Sequence, residues 1–373
     1  MARRTEDLME TPERLARPEV QALTPYQSAR RIVAAAGGRG DVWLNANESA
    51  ESDEYALRNG RLNRYPDAQP AEVIARYAAY AGVSPESILA TRGGDEGIDL
   101  LVRTFCTGGR DAVLQFPPTY GMYSVSAETA NVRVVNLTTS PENGWTPDVK
   151  ALEAALEKDP SIQVVFACSP NNPTGNLLSP EVVSDLIDAT RGRAILVLDE
   201  AYIEFSPENT AIDRLERAPH LVIIRTLSKA FALAGIRCGF LIGNPAVIGM
   251  IRKVIAPYPI PAPVADIAEQ ALSDKGIARM KTRVAATLRR REELARALAA
   301  LPGVLEVSPS ASNFLLVRFA ESARVFTGLW DRGIILRDQS RQPTLAGAIR
   351  ITVGTDEENA LLLAALTELL GEY

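Results

Sequence analysis

Six short apolar runs, separated by helix-like segments, constrain the fold of this chain more than any other feature. They lie between residues 111 and 243 and read DAVLQF, VRVVNL, IQVVFACS, AILVLDE, HLVIIRT and CGFLIG. The runs are apolar throughout rather than alternating, which is typical of strands that are covered on both faces by crossover helices. The sequence therefore predicts an α/β fold whose large domain holds a largely parallel sheet.

A proline-rich segment divides the chain. APYPIPAPVADIAEQAL contains four prolines, which interrupt any element before a helical stretch predicted from about residue 265 to residue 301. Beyond it, SNFLLVRF, ARVFTGLWDRGIIL, AIRITVG and a final helix predict a smaller C-terminal α/β domain. Thr355 and Glu358 have the spacing of a capping box at the start of that helix. We predict an N-terminal arm over residues 1–42, a large domain over 43–262 and a small domain over 263–373.

Composition argues against several classes of function. The net charge of the 373 residues is -6 and the basic residues are scattered, so nucleic acid is not an expected partner. No stretch reaches the apolar length of a membrane span, and the N-terminus lacks the apolar region of a secretory signal. A single histidine, His220, argues against a histidine-based metal site or a serine–histidine relay. Three cysteines, Cys106, Cys168 and Cys238, fit free thiols in a reducing compartment, so we expect a cytoplasmic protein.

Polar residues follow three of the apolar runs, where the carboxyl ends of parallel strands meet at one sheet edge. Lys229 follows HLVIIRT in an apolar setting, which favours a neutral, nucleophilic amine; taken alone, an ion-paired lysine is the commoner interpretation. Asp199 ends AILVL and either caps the next segment or meets a buried positive partner. A nucleophilic lysine together with an acid for a protonated ring nitrogen is what pyridoxal phosphate requires.

An anion site for the phosphate of that cofactor is also visible in the sequence. TRGGDEGIDLLVRTF predicts a Gly-Gly turn that leads into a helix N-terminus, and Thr226, Ser228 and Arg237 lie close to Lys229 in sequence. Tyr120, after a predicted strand, has a ring that can stack on a flat heteroaromatic or pack in the core. Asn172 and Tyr202 are candidates for hydrogen bonds to the phenolic oxygen of such a ring, although an asparagine beside proline often only makes a turn.

The motifs SPNNPTG, DEAYIEF, RTLSKAFALAGIRCGF and IRITVGT, in this order, resemble those of the fold type I, class II aminotransferases that depend on pyridoxal phosphate. LTPYQSARR, DVWLNANE, NRYPDAQP, RGGDEGI, PPTYGMYSVSAET, VIAPYP and GIILRDQSRQP resemble the histidinol-phosphate aminotransferase family within that class. The likeness covers nearly the whole chain from about residue 23. It implies a large domain with a mostly parallel seven-stranded sheet flanked by helices, a smaller C-terminal α/β domain and a homodimer.

The resemblance also implies a role for individual residues. Lys229 resembles the lysine of the internal aldimine, Asp199 the partner of the pyridine nitrogen, and Tyr120 the stacking tyrosine. The remaining cofactor contacts implied by the resemblance are Gly94, Asp95, Glu96, Asn172, Tyr202, Thr226, Ser228, Arg237 and, from the other subunit, Tyr65. The implied substrate contacts are Tyr26, Asn47, Arg337 and Arg350, with Arg350 on the carboxylate of glutamate. The family usually has Gly-Ala-Asp-Glu where this chain has GGDE.

The function that the resemblance implies is ping-pong transamination between L-histidinol phosphate and 2-oxoglutarate in histidine biosynthesis, with no metal. An aromatic amino-acid aminotransferase or a phosphothreonine decarboxylase of the same fold is the alternative, because few contacts decide the substrate of such a pocket. A regulatory domain that binds the cofactor without turnover is a third possibility. Such a domain accompanies a basic DNA-binding module, and fewer than thirty residues precede LTPYQSARR.

Overall fold

The computed structural model of this chain describes residues 12–23, 40–58 and 62–371. Within those ranges the strands are β1 (Val42–Trp43), β2 (Ile88–Thr91), β3 (Ala112–Gln115), β4 (Arg133–Asn136), β5 (Ile162–Cys168), β6 (Ile195–Asp199), β7 (Leu221–Thr226), β8 (Gly239–Gly243), β9 (Val304–Val307), β10 (Phe314–Phe319), β11 (Ile334–Ile335), β12 (Arg337–Asp338) and β13 (Ala348–Thr352). The α-helices are α1 (Pro18–Gln21), α2 (Ala71–Ala81), α3 (Gly94–Phe105), α4 (Met122–Thr129), α5 (Val149–Lys158), α6 (Pro180–Thr190), α7 (Pro245–Ile251), α8 (Ala262–Ala271), α9 (Asp274–Ala299), α10 (Ser322–Asp331) and α11 (Asp356–Gly371).

The largest sheet has seven strands in the order β2-β8-β7-β6-β5-β3-β4. Strands β3 to β7 run parallel to one another, and β8 is antiparallel to both of its neighbours, β7 and β2. The six apolar runs of the sequence correspond to β3 to β8, so the predicted mostly parallel seven-stranded sheet is confirmed. The sequence analysis did not identify the seventh strand, β2, whose four residues contain an apolar run of three.

Helices cover both faces of this sheet, as its uninterrupted apolar strands require. Along β7, Leu221 and Ile223 belong to one buried cluster, which also contains apolar residues of α2, α5 and α6. Val222 and Ile224 belong to the cluster on the other face, which contains residues of α3, α4 and α7. Alternate side chains of one strand therefore anchor opposite layers.

A second, four-stranded antiparallel sheet lies in the C-terminal part, in the order β12-β13-β10-β9, with α10 and α11 contributing to its core. It confirms a smaller C-terminal α/β unit. The β1 strand pairs in parallel with β11 of this part, and Val42 and Leu44 join its apolar core. The boundaries at residues 42/43 and 262/263 stay predictions.

One serine and one threonine cap the N-termini of α9 and α11, respectively. The stretch predicted as one helix from about 265 to 301 is two helices, because the hydroxyl of Ser273 accepts the Gly276 amide and starts α9 anew. At α11 the Thr355 hydroxyl accepts the Glu358 amide, and the Glu358 carboxylate accepts the Thr355 amide at 2.8 Å. The predicted capping box is confirmed. None of the helices among the described residues is both long and apolar enough to span a membrane.

The β8 strand passes very close to the start of α3. A Cβ on Gly239 would lie 2.7 Å from the carbonyl carbon of Gly93 and 2.9 Å from the amide nitrogen of Gly94. Gly93 itself has a φ of 83°, in the left-handed region that favours glycine. Only a glycine at position 239 thus allows the turn and the strand to meet.

We expect Gly239→Ala to lower the free energy of unfolding by about 1–3 kcal/mol, because the backbone of the 93–94 turn has to move. Urea denaturation of the variant and the parent protein measures this difference. Gly249→Ala in α7 is the matched control, since a Cβ there meets no atom within 4 Å and the helix gains up to about 1 kcal/mol. Equal stability of Gly239→Ala and the parent would contradict the close approach.

Candidate active site

A cavity of about 340 Å³ lies beyond the carboxyl ends of β5, β6 and β7. Parallel pairing aligns those ends, since Cys168 is opposite Asp199 and Asp199 is opposite Ile224. Segment 45–48, which follows β1, and segment 337–342, which begins with β12, close the cavity on the side of the C-terminal sheet. The structure brings together these sequence-predicted residues in its lining: Asn47, Gly94, Asp95, Tyr120, Asn172, Asp199, Tyr202, Thr226, Ser228, Lys229, Arg237, Arg337 and Arg350.

Two predicted site residues within the described ranges are not in this lining. The Glu96 carboxylate turns back to Arg92, whose backbone amide and guanidinium it accepts at 2.6 Å and 2.8 Å. Tyr65 is 81% exposed, and its ring stacks on that of Tyr258 with 4.6 Å between ring centroids. Tyr26 lies outside the described residues.

Lys229 reaches the cavity from the turn after β7. Its Nζ donates a hydrogen bond of 2.9 Å to the carbonyl oxygen of Ala46. Part of the side chain faces the cavity, but protein atoms surround the amine, and this burial lowers the pKa of Lys229 to about 8, with the Arg350 charge adding to the effect. A large neutral fraction near pH 8 makes this amine a nucleophile and a base.

Asp199 is a buried acid at the end of β6. Its Oδ2 accepts the hydroxyl of Tyr123 at 2.7 Å and its Oδ1 accepts the amide of Ala201 at 3.0 Å. Burial raises the pKa of Asp199 to about 6, the two hydrogen bonds oppose that rise, and Asp95 and Glu200 add to it. Among the described residues Asp199 makes no ion pair, so a cation bound in the cavity is the partner that its carboxylate lacks.

An anion site lies at the N-terminus of α3. The Thr226 hydroxyl donates to Ser228 Oγ at 2.9 Å, and Arg237 Nη1 donates to the same oxygen at 3.3 Å. A Cβ on Gly93 would come within 2.7 Å of Arg237 Nη2, so glycine leaves room for the guanidinium beside the helix start. Two hydroxyls, one guanidinium and a helix N-terminus form a site that suits a phosphate.

The carboxylate of Asp95 links this anion site to the predicted stacking residue. Its Oδ1 accepts the Tyr120 hydroxyl at 2.8 Å, and its Oδ2 accepts Arg237 Nη2 at 3.1 Å. An acidic side chain repels a phosphate, so its contribution to the site here is to hold the phenol and the guanidinium in place.

Asn47 connects the C-terminal sheet to the cavity. Its Nδ2 donates to the Tyr202 hydroxyl at 2.9 Å, and its backbone amide donates to Thr352 Oγ1 at 3.0 Å. Its own carbonyl accepts Asn313 Nδ2 at 3.0 Å. With a φ of 53°, Asn47 adopts a left-handed conformation that these bonds hold in place.

Arg350, in β13, is the buried cation of the cavity wall. Its guanidinium donates to Asn172 Oδ1 and, at 2.6 Å, to the carbonyl oxygen of Asn45. The register of β12 against β13 places Arg337 directly opposite Arg350. Both arginines line the same cavity as Lys229, so an anionic group can bind there beside the amine.

The sequence analysis did not identify several residues of this site as site residues. Asn45, Thr119, Cys168, Gln339 and Gln342 also line the cavity. Cys168 is the last residue of β5, and the other four lie in quoted motifs that follow or flank strands, which is the only sequence signal for them. Tyr123 lies behind the cavity and is recognised only from its hydrogen bond to Asp199.

Comparison with known proteins identifies the family. The sequence model of the aminotransferase class I and II family matches residues 38–366 of this chain. The chain belongs to this family. Within it, the chain is 55% identical over 359 residues to a histidinol-phosphate aminotransferase of Pectobacterium carotovorum, covering 96% of this chain and 98% of the relative. It is 54% identical over 352 residues to one of Escherichia coli, covering 94% and 96%.

A solved structure agrees with these relatives. The histidinol-phosphate aminotransferase of Sinorhizobium meliloti, in complex with pyridoxal-5'-phosphate, superposes with a TM-score of 0.85 at 25% identity, covering 95% of this chain and 97% of that one. The chain is therefore a histidinol-phosphate aminotransferase family member and a transferase that depends on pyridoxal phosphate.

The cavity of this aminotransferase fits the cofactor. Asp199 is a buried carboxylate without a cation among the described residues, and a protonated pyridine nitrogen supplies one. The anion site of Thr226, Ser228 and Arg237 suits the phosphate, and the partly neutral Lys229 amine suits the aldehyde. The three chemical ends of the cofactor thus each have a matching group.

We expect the amine of Lys229 in the apoprotein to react with acetic anhydride with a pH midpoint of about 8. The neutral amine is the reactive form, so labelling falls as the pH drops below that value. Mass spectrometry of the peptide that contains Lys229 measures the rate, and Lys229→Ala is the control that loses this label. A midpoint near the ordinary lysine value of about 10.4 would contradict the burial effect.

Proposed function

We propose that this aminotransferase transfers the amino group of L-histidinol phosphate to 2-oxoglutarate, giving imidazole acetol phosphate and glutamate in histidine biosynthesis. The observation that carries the proposal is the placement of Arg337 and Arg350 in the cavity that holds Lys229. Relatives at 54–55% identity with this chain have the corresponding name. Histidinol phosphate and glutamate differ in their anionic group, and an arginine pair accepts either a phosphate or a carboxylate.

The residues around the cofactor have distinct tasks in this proposal. Arg237, Thr226, Ser228 and the amides at Gly94 and Asp95 hold the phosphate, and Glu96, as the next residue, extends the helix N-terminus. Asp199 pairs with the pyridine nitrogen. Tyr120 stacks on the ring, and Asn172 and Tyr202 donate hydrogen bonds to the phenolic oxygen.

Lys229 performs the proton transfer. Pyridoxal phosphate, when bound, supplies an electron-withdrawing ring that takes up the electron pair of the carbon–hydrogen bond at the substrate amine carbon. Lys229 Nζ accepts that proton and returns it to the cofactor side, and a pKa of about 8 lets one amine do both near neutral pH. The reverse sequence with 2-oxoglutarate completes the ping-pong cycle.

The substrate pocket is formed by the C-terminal sheet and the N-terminal segments. Arg350 holds the carboxylate of glutamate or the phosphate of histidinol phosphate, and Arg337 lies opposite it across β12 and β13. Asn47 fixes the Tyr202 hydroxyl at the same wall. Tyr26 completes the pocket in this proposal.

The proposal includes a homodimer, in which Tyr65 reaches the cofactor phosphate of the other subunit. In the chain, Tyr65 and Tyr258 stack on each other at the surface, and Leu57 and Leu62, which are close to Tyr65 in sequence, are also exposed. Exposed aromatic and aliphatic side chains in a group suit a protein interface. The three cysteines are unpaired, which suits a reducing compartment, so we place the dimer in the cytoplasm.

The substrate is tested by a half-reaction. Purified protein with bound pyridoxal phosphate is titrated separately with L-histidinol phosphate, phenylalanine and phosphothreonine, and conversion to pyridoxamine phosphate is followed by absorbance. We expect histidinol phosphate to convert the cofactor most efficiently, because it alone combines the imidazole with a phosphate monoester. Preferential conversion by phenylalanine would move the function to an aromatic aminotransferase, loss of carbon dioxide from phosphothreonine would indicate the decarboxylase, and no conversion would indicate a regulatory domain.

We expect Arg350→Lys to slow both half-reactions by about tenfold to hundredfold, because lysine cannot bind two oxygens of a carboxylate or phosphate at once. Stopped-flow rates with glutamate and with histidinol phosphate measure the effect. Arg318→Lys in the neighbouring strand β10 is the control, since Arg318 lies outside the cavity lining and bonds to the carbonyl of Ala346. An unchanged rate with glutamate would contradict the role of Arg350.

A further inference from the structure

Asp199 depends on a hydrogen bond from a side chain behind the cavity. Of its two oxygens, Oδ1 accepts a backbone amide and Oδ2 accepts the hydroxyl of Tyr123 at 2.7 Å. Tyr123 does not line the cavity, and in the described parts of the chain Asp199 has no ion pair. Tyr123 is therefore the only described side chain that donates to this carboxylate.

The Tyr123 hydroxyl is held rigidly. Its fully buried ring stacks on Phe166, with 4.7 Å between centroids and an angle of 4° between planes. Its second aromatic contact among the described residues is with Tyr120, edge-on at 5.8 Å between centroids and 85° between planes. The ring thus bridges β5 and the predicted stacking residue, and the hydroxyl has little freedom to leave Asp199.

Tyr123 remains a donor throughout the neutral pH range. Burial raises its pKa well above the ordinary tyrosine value, and the negative charge of Asp199 adds to this. Donation to the ionised form of a carboxylate stabilises that form. The hydrogen bond thus opposes the burial of Asp199 and the nearby charges of Asp95 and Glu200, all of which favour the neutral acid.

We propose that Tyr123 is a positioning residue that keeps Asp199 ionised and oriented for the protonated pyridine nitrogen of the cofactor. The inference rests on the proposed function, in which Asp199 pairs with that nitrogen. Without the hydroxyl, the buried carboxylate retains one donor and shifts to the neutral acid. The pyridine nitrogen then loses both its charge partner and its proton.

The test compares two ligands that differ only at this nitrogen. Affinities of the apoprotein for pyridoxal phosphate and for its 1-deaza analogue, which has a carbon in place of the ring nitrogen, are measured by equilibrium dialysis. We expect the parent protein to prefer pyridoxal phosphate. In Tyr123→Phe, the affinity for pyridoxal phosphate falls about tenfold to hundredfold, the range for a hydrogen bond to a charged group, whereas the affinity for the analogue is unchanged or higher.

Tyr77→Phe is the matched control. Tyr77 is also fully buried and stacked, on Phe240 at 3.7 Å, but its hydroxyl has no hydrogen-bond partner among the described residues. We expect this variant to retain the ligand preference of the parent. As a second readout, the nitrogen-15 signal of labelled cofactor moves toward that of a neutral pyridine only in Tyr123→Phe.

The outcomes separate the two levels of the proposal. Equal loss of affinity for both ligands, or a parent-like preference and nitrogen signal in Tyr123→Phe, would overturn the role of Tyr123 while leaving Asp199 as the nitrogen partner. A parent protein that binds both ligands equally would instead refute the Asp199 assignment in the proposed function, and the role of Tyr123 with it. The assignment of Lys229 as the residue that moves the proton rests on its own position in the cavity and does not depend on either result.

Discussion

Parallel pairing of β5, β6 and β7 is the constraint on which the site depends. Because neighbouring parallel strands end at the same edge, Cys168, Asp199 and the turn with Lys229 are brought together although they are far apart in sequence. Both faces of the sheet are covered, so the groups at this edge are buried. The same desolvation acts in opposite directions on the two charges, raising the pKa of Asp199 to about 6 and lowering that of Lys229 to about 8.

The other wall of the site comes from segment 45–48, which no strand of the large sheet holds. Two of its backbone carbonyls accept hydrogen bonds from Lys229 and Arg350. The Asn47 side chain donates a hydrogen bond to the Tyr202 hydroxyl. Just downstream, Asp53 pairs with Arg283 at 2.6 Å and Glu51 with Arg290 at 2.7 Å. These ion pairs attach the segment to α9, so the long C-terminal helix helps to position a loop that contacts both the lysine and the arginine of the cavity.

The sequence predicted the large sheet well because most of its strands are buried on both faces and carry apolar runs, the partly exposed edge strand β4 being the exception. It did not reveal β2, whose apolar run is only ILA, or β9, whose four residues are exposed or only partly buried. It merged α8 with α9 because the serine cap at position 273 is a local feature within a helical pattern. Most predicted site residues line one cavity, since strand ends converge by topology. Glu96 shows what a motif cannot give: the direction of a side chain depends on the partner it finds, which here is Arg92.

Alternation along the strands also separates two kinds of buried charge. Thr226 faces the cavity, whereas the preceding Arg225 is paired with Glu200 at 2.7 Å on the other face. In that pair, each buried charge is neutralised by the opposite charge of its partner within the protein. In Asp199 and Lys229, by contrast, burial shifts the pKa toward the neutral form, and each has its complement in the bound cofactor. A ligand that binds only the native state stabilises it by mass action, so the energetic cost of burying these two groups is offset when the cofactor is present. The burial that shifts the pKa values of Asp199 and Lys229 for catalysis is therefore also the burial whose energetic cost the cofactor offsets.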